Sequence, residues 1–85
     1  RTAEAIALFQ HALAGQPRNP FIQFNLGETH RLAHALAKAL PYFERAAALK
    51  PDFAEAFAFA AEALRGLGRG AAAEPRYQTA LRLAP

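Results

Sequence analysis

Few side chains in this 85-residue sequence have the chemistry of a reaction centre. His30 and His34 stand four apart, which puts both imidazoles on one helical face, a geometry that can hold a metal ion. No Cys exists, no third ligand falls nearby, and Glu28 precedes His30 without making an H-E-x-x-H pattern. The pair therefore reads as structural, with His30 filling an aromatic-type core position, and no metal or other cofactor is expected. His11 has no visible partner. Ser is absent and Thr2, Thr29 and Thr79 are the alternative hydroxyl nucleophiles, so a catalytic triad lacks its materials and no enzyme is expected. The run "GLGRG" follows a helical stretch rather than a strand, which argues against a phosphate loop. Binding chemistry is better represented. Glu28 and Arg31 are i,i+3, and Glu62 and Arg65 repeat that pair 34 residues later. Two roles fit them: intrahelical salt bridges worth a few tenths of a kcal/mol, or a mixed-charge ladder that orients an extended peptide.

Those residues need helices to carry them. Hydrophobic residues make up 53% of the chain, too many for a disordered polar tail. Alanine dominates, β-branched residues are scarce and no stretch alternates with period two, so the fold class is all-α. No apolar run reaches the length that crosses a bilayer, no signal-peptide pattern is visible, and a cytoplasmic chain is expected. The net charge of +3 comes mostly from Arg spread along the chain, which reads as a solubilising surface rather than a nucleic-acid site. Arg in preference to Lys, with so much Ala, suggests a GC-rich bacterial genome. The start at Arg1 without Met is expected of a piece of a longer protein.

The strongest signal is an internal period. Pro17, Pro51 and Pro85 lie 34 residues apart, as do Ala5, Ala39 and Ala73, then Phe9, Phe43 and Tyr77, then Ala12, Ala46 and Ala80. The division that follows is half a repeat over 1–17 and full repeats over 18–51 and 52–85. Five helices are expected near 3–15, 20–33, 37–49, 53–65 and 72–83. Asn19 before Pro20 is a good N-cap and first helical position. Asp52 and Glu55 resemble a capping box, while Pro51 stops the preceding helix. The glycines of "RGLGRG" supply the positive φ that ends a helix. Pro41 and Pro75 would cost about 3 kcal/mol in a helix interior, so their helices are expected to start late enough to keep each proline in the first turn.

At these residues the chain resembles the tetratricopeptide repeat (TPR) family. Residues 18–51 carry Leu26-Gly27, Ala39, Phe43, Ala46 and Pro51, but place Gln23 in the aromatic slot and His30 in the tyrosine slot. Residues 52–85 carry Phe57, Ala60-Ala61, Leu64, Ala73, Tyr77, Ala80 and Pro85. The resemblance implies a right-handed α-solenoid of antiparallel helix pairs with the first helix of each pair lining a concave face. Helical spacing then sets Phe21, Phe24, Asn25, Glu28 and Arg31, and Glu55, Ala58, Phe59, Glu62 and Arg65, on that face. Peptide-holding members of the family often use an Asn at the Asn25 position, and its amide can pair with a backbone N–H and a C=O together. Phe21 and Phe59 offer apolar area to a ligand or packing to adjacent helices. In modules that clamp the carboxylate of chaperone tails, Lys and Arg occupy the slots that here hold Glu55 and Phe59, so that ligand is not expected. The function implied is a protein–protein interaction scaffold binding an extended peptide or a helix of a partner. Two alternatives remain. One is a substrate-selecting region of a larger enzyme, since "KPDFAEAF" and Asn25 look like the repeats of O-GlcNAc-transferase-type glycosyltransferases. The other is self-association through exposed helical ends near Leu81 and Leu83.

Overall fold

The structure is a computed structural model that describes residues 1–84; Pro85, the third proline of the 34-residue register, lies outside the described residues. Five helices follow one another: α1 (Thr2–Gly15), α2 (Pro20–Leu32), α3 (Leu36–Leu49), α4 (Ala54–Gly66) and α5 (Gly70–Leu83). Each packs chiefly on its neighbours in the chain, most closely within the antiparallel pairs α2/α3 and α4/α5. That contact order is the mark of a solenoid, in which every hairpin buries its apolar face on the next one. No described helix is long and apolar enough to cross a membrane.

The starts and stops of the helices follow local chemistry. The Asn19 side chain accepts hydrogen bonds from the backbone N–H of Phe21 (2.9 Å) and Ile22 (3.3 Å), and Pro20 takes the first helical position. Both features match the sequence reading. Asp52 does not cap. The N-cap of α4 is Phe53, without a side-chain cap, and Asp52 instead accepts from Lys50 Nζ at 2.9 Å. That ammonium holds the Asp52 carboxyl below its usual range, chiefly through the hydrogen bond itself.

The expectation for the prolines is also corrected. Pro41 is the sixth residue of α3 and Pro75 the sixth of α5, so both lie in the second turn. Each removes one bond, to the carbonyl of Ala37 or Ala71, and those residues are exposed. Water can take up the freed carbonyls, so the interior penalty falls on the cheap side of the helix. Ala39 and Ala73, one turn in, are fully buried against the preceding helices and hold the early starts in place.

The core runs as three linked clusters. Ala46, Ala47, Phe53 and Ala56 form the first; Ala39, Phe43 and Ala60 the second; Ala61, Leu64 and Ala73 the third. Phe24 belongs to the first two and Leu40 to the last two, which makes the core continuous along the stack. Phe43 has no exposed surface, and Gly27 faces it so closely that a Cβ there would stand 2.7 Å from the ring. One repeat later, Tyr77 packs on the cluster of Ala61, Leu64 and Ala73. The 34-residue offset therefore returns an aromatic knob to a small residue on the facing helix. Tyr77 and Phe9 are only half-buried, whereas Phe43 has helices on both sides.

Candidate functional site

The surface shared by α2 and α4 is organised by phenylalanine rings. Phe24 sits 4.9 Å from Phe53, 5.5 Å from Phe43 and 5.6 Å from Phe59, centroid to centroid. Phe59 also lies 5.6 Å from Phe43. Such tilted and offset pairs add about 0.5–1.5 kcal/mol each beyond area burial. Phe59 is therefore a packing residue first. Phe21 differs: it touches Phe53 at 5.4 Å, yet 55% of its surface remains exposed at the start of α2.

Arg31 lies at the centre of the polar part. Its Nε donates to Glu28 Oε1 at 2.5 Å, its Nη1 stands 3.6 Å from Glu62 Oε1, and its guanidinium covers the Phe59 ring at 4.7 Å. The hydrogen bond to Glu28, helped by both carboxylates, raises the Arg31 pKa further above its ordinary value, so the cation is permanent. The i,i+3 bridge expected from the sequence is present for Glu28 and Arg31. For Glu62 the partner is Arg31 across the helix interface rather than Arg65. Arg65 is exposed at the end of α4 and makes no ion pair among the described residues.

Asn25 projects from the exposed flank of α2, between Phe21 and Glu28. Its backbone carbonyl accepts from Thr29 Oγ1 at 2.9 Å, and its side-chain amide makes no hydrogen bond among the described residues. The structure thus brings Phe21, Asn25, Glu28, Arg31, Phe59 and Glu62 onto one connected surface. Glu55 stands one turn before Phe59 on α4 and is exposed. It also lines a mostly apolar groove of about 270 Å³ with Ala58, Tyr77 and Leu81. Counted back by 34, Ala58, Tyr77, Ala80 and Leu81 become Phe24, Phe43, Ala46 and Ala47. Those four are the residues on which α4 seats Phe53, Ala56 and Ala60. The groove is the counterpart, at the α5 end, of the slot that α4 fills.

The histidines have structural positions. His30 is 9% exposed and stacks flat on Tyr42, with ring centroids 5.5 Å apart and planes 8° apart, as its aromatic-slot position implies. His34 was not separable from it in sequence, yet it does something else: its φ is 60°. It is the left-handed residue of a Schellman turn in which His34 N–H donates to Arg31 O and Ala35 N–H to His30 O. Gly68, 34 residues on, has φ 79° and the same pair of bonds, to Arg65 and Leu64. The offset to Gly68 was the signal that could have revealed it. No cluster of three or more His, Asp or Glu that could hold a metal occurs among the described residues.

Helix pairs stacked in chain order, small residues under aromatic knobs and a 34-residue return together define a TPR-like all-α solenoid. Solved structures agree on the fold. The crystal structure of MamA superposes with a TM-score of 0.92 at 24% identity, over 96% of this chain and 48% of that one. A MamA MSR-1 structure gives 0.87 at 22% identity, over 96% and 47%. MamA AMB-1 gives 0.88 at 23%, over 96% and 48%. The chain thus spans about half the length of these structures. No family model and no curated protein matches it.

Proposed function

We propose that this chain is a non-catalytic protein–protein interaction scaffold that holds an extended peptide, or a helix of a partner, along the α2–α4 surface. The observation that carries the reading is Asn25. An exposed amide with both a donor and an acceptor unused stands between an exposed aromatic ring and a fixed charge cluster. The amide suits a peptide backbone, whose N–H and C=O it can pair together. Phe21 gives apolar area, and Glu28, Arg31 and Glu62 give a sequence-selective charge pattern, with Phe59 setting the height of the Arg31 guanidinium. Glu55 and Arg65 stand at the two ends of α4, where a longer ligand would meet them. The arrangement as half a repeat (1–17) and two full ones (18–51 and 52–85) is part of the same proposal, supported by the matched environments of Gly27 with Phe43 and Ala61 with Tyr77. Nothing in the geometry favours a link to a glycosyltransferase.

The second reading, self-association, has one observation of its own: the Tyr77–Leu81 groove, with Leu81 68% exposed, repeats the slot that α4 fills. The experiment for the first reading is selection from a displayed library of short random peptides, followed by affinity measurement on Asn25→Ala. Binding about tenfold weaker with unchanged helicity supports the surface. Equal affinity for both proteins removes Asn25 from it, and failure to select any peptide removes the reading.

A further inference from the structure

The solenoid has two grooves between successive second helices, one between α1 and α3 and one between α3 and α5, and the 34-residue offset maps one onto the other. Gln10 corresponds to Glu44, Pro41 to Pro75, Tyr42 to Arg76 and Arg45 to Thr79. In the second groove the charges are balanced internally. Arg76 donates from Nε to Glu44 Oε1 at 3.0 Å and from Nη2 to Glu44 Oε2 at 2.6 Å, a two-pronged ion pair across the groove.

The first groove cannot make that pair, because its counterparts are Gln10 and Tyr42. It has about 480 Å³ of open space and no acidic residue in its lining. Two cations line it, Lys38 and Arg45, and neither is in an ion pair among the described residues. The Arg45 guanidinium folds back over the Tyr42 ring at 5.2 Å. His30, nine-tenths buried and stacked on the same ring, also lines the groove, and its imidazole makes no hydrogen bond to any described residue.

We propose that the α1–α3 groove binds a phosphate group. Two cations without a carboxylate partner call for a dianion, and a single carboxylate would leave one of them unbalanced. Guanidinium and ammonium give charge-assisted bonds to phosphate oxygens, while the His30 imidazole and the Gln10 amide supply directional donors. The bound phosphate takes the electrostatic place that the Glu44 carboxylate has in the second groove. The phosphate can belong to a small phosphorylated compound or to a phosphorylated side chain of a partner; the chemistry recognised is the same. The site shares no residue with the α2–α4 surface, so loss of either leaves the other intact.

The test is an NMR titration of the whole chain with inorganic phosphate at constant ionic strength, in parallel with acetate and with a phosphoserine-containing peptide. Saturable shifts centred on His30, Tyr42 and Arg45 are expected. Arg45→Gln and Lys38→Gln should each weaken binding about tenfold, and Arg82→Gln, a cation on the last turn of α5, should leave it unchanged. The decisive variant is Gln10→Glu with Tyr42→Arg, which writes the second groove's ion pair into the first and should abolish binding while circular dichroism stays that of the parent. Tighter binding of the peptide than of free phosphate assigns the site to a phosphorylated partner, and equal binding assigns it to a small phosphorylated compound. Shifts that do not saturate, acetate binding as well as phosphate, equal weakening by Arg82→Gln, or undiminished binding in the double variant would each overturn the proposal.

Discussion

The contact between Gly27 and Phe43 allows a test in which a substitution should change sign. Alanine is favoured over glycine in a helix interior by about 1 kcal/mol, so Gly27→Ala would stabilise α2 if nothing faced it. Here a Cβ would lie 2.7 Å from Phe43 Cε1 and 2.8 Å from Cδ1. The ring has nowhere to go: it has no exposed surface and is flanked by Phe24, Phe59 and Ala60. Overpacking of this kind costs about 1–3 kcal/mol, so the net effect is destabilisation of up to about 2 kcal/mol. Phe43→Ala alone should cost about 3–5 kcal/mol, a large part of the total stability of so small a domain. In that background the ring is gone and Gly27→Ala should stabilise, by up to about 1 kcal/mol. Urea unfolding followed by far-UV circular dichroism on all four proteins measures the coupling, expected at about 1–3 kcal/mol. Should the alanine variant not fold, Phe43→Val also withdraws the ring and serves in its place. A Gly27→Ala protein more stable than the parent, or one with the same effect in both backgrounds, would refute the packing argument.

His34→Gly should stabilise the chain by roughly 0.5–1 kcal/mol, because a left-handed residue with a Cβ costs about 1–2 kcal/mol and glycine's greater freedom in the unfolded chain returns part of it. A rise of about 2–8 °C in thermal midpoint is expected; a fall would mean that the imidazole makes a contact worth more than the strain. The Asp52 carboxyl, held below its usual range by Lys50, contributes stability that is present above the unfolded-state pKa and lost as pH falls through the folded one. Asp52→Asn should therefore narrow the gap between unfolding midpoints measured at neutral pH and below about pH 4, and an unchanged gap would deny the pair any role.

Much of the fold was legible because it depends on spacing. The repeat of Ala39 and Ala73, and of Phe43 and Tyr77, placed the helices and the knobs without any knowledge of distance. Asn19 was legible too, since an N-cap needs only its own side chain and the next three N–H groups. What escaped depended on competition or on tertiary reach. Asp52 had the type and position of a cap, but an ammonium two residues away took its carboxylate. Pro41 and Pro75 looked costly because sequence does not say whether the freed carbonyl meets water. Glu62 had Arg65 at helical spacing, yet the closer cation was Arg31 on another helix. Of the candidate site, the α2 residues and Phe59 could be placed by periodicity alone, whereas the groove that Glu55 lines with Tyr77 and Leu81 required the α4–α5 geometry. The ion pair between Glu44 and Arg76, 32 residues apart, had no signal beyond two opposite charges on successive second helices.

α1 contributes no fully buried residue and docks chiefly on α2, so it is the least anchored member of the stack. In a molecule held together by neighbour contacts, so lightly docked an element opens before the rest, with its own small free energy. It also forms one wall of the α1–α3 groove through Ile6 and Gln10. Occupancy of that groove and docking of α1 are therefore linked equilibria. An anion bound only to the docked arrangement draws the loose helix down, and whatever loosens the helix lowers the apparent affinity by the same factor.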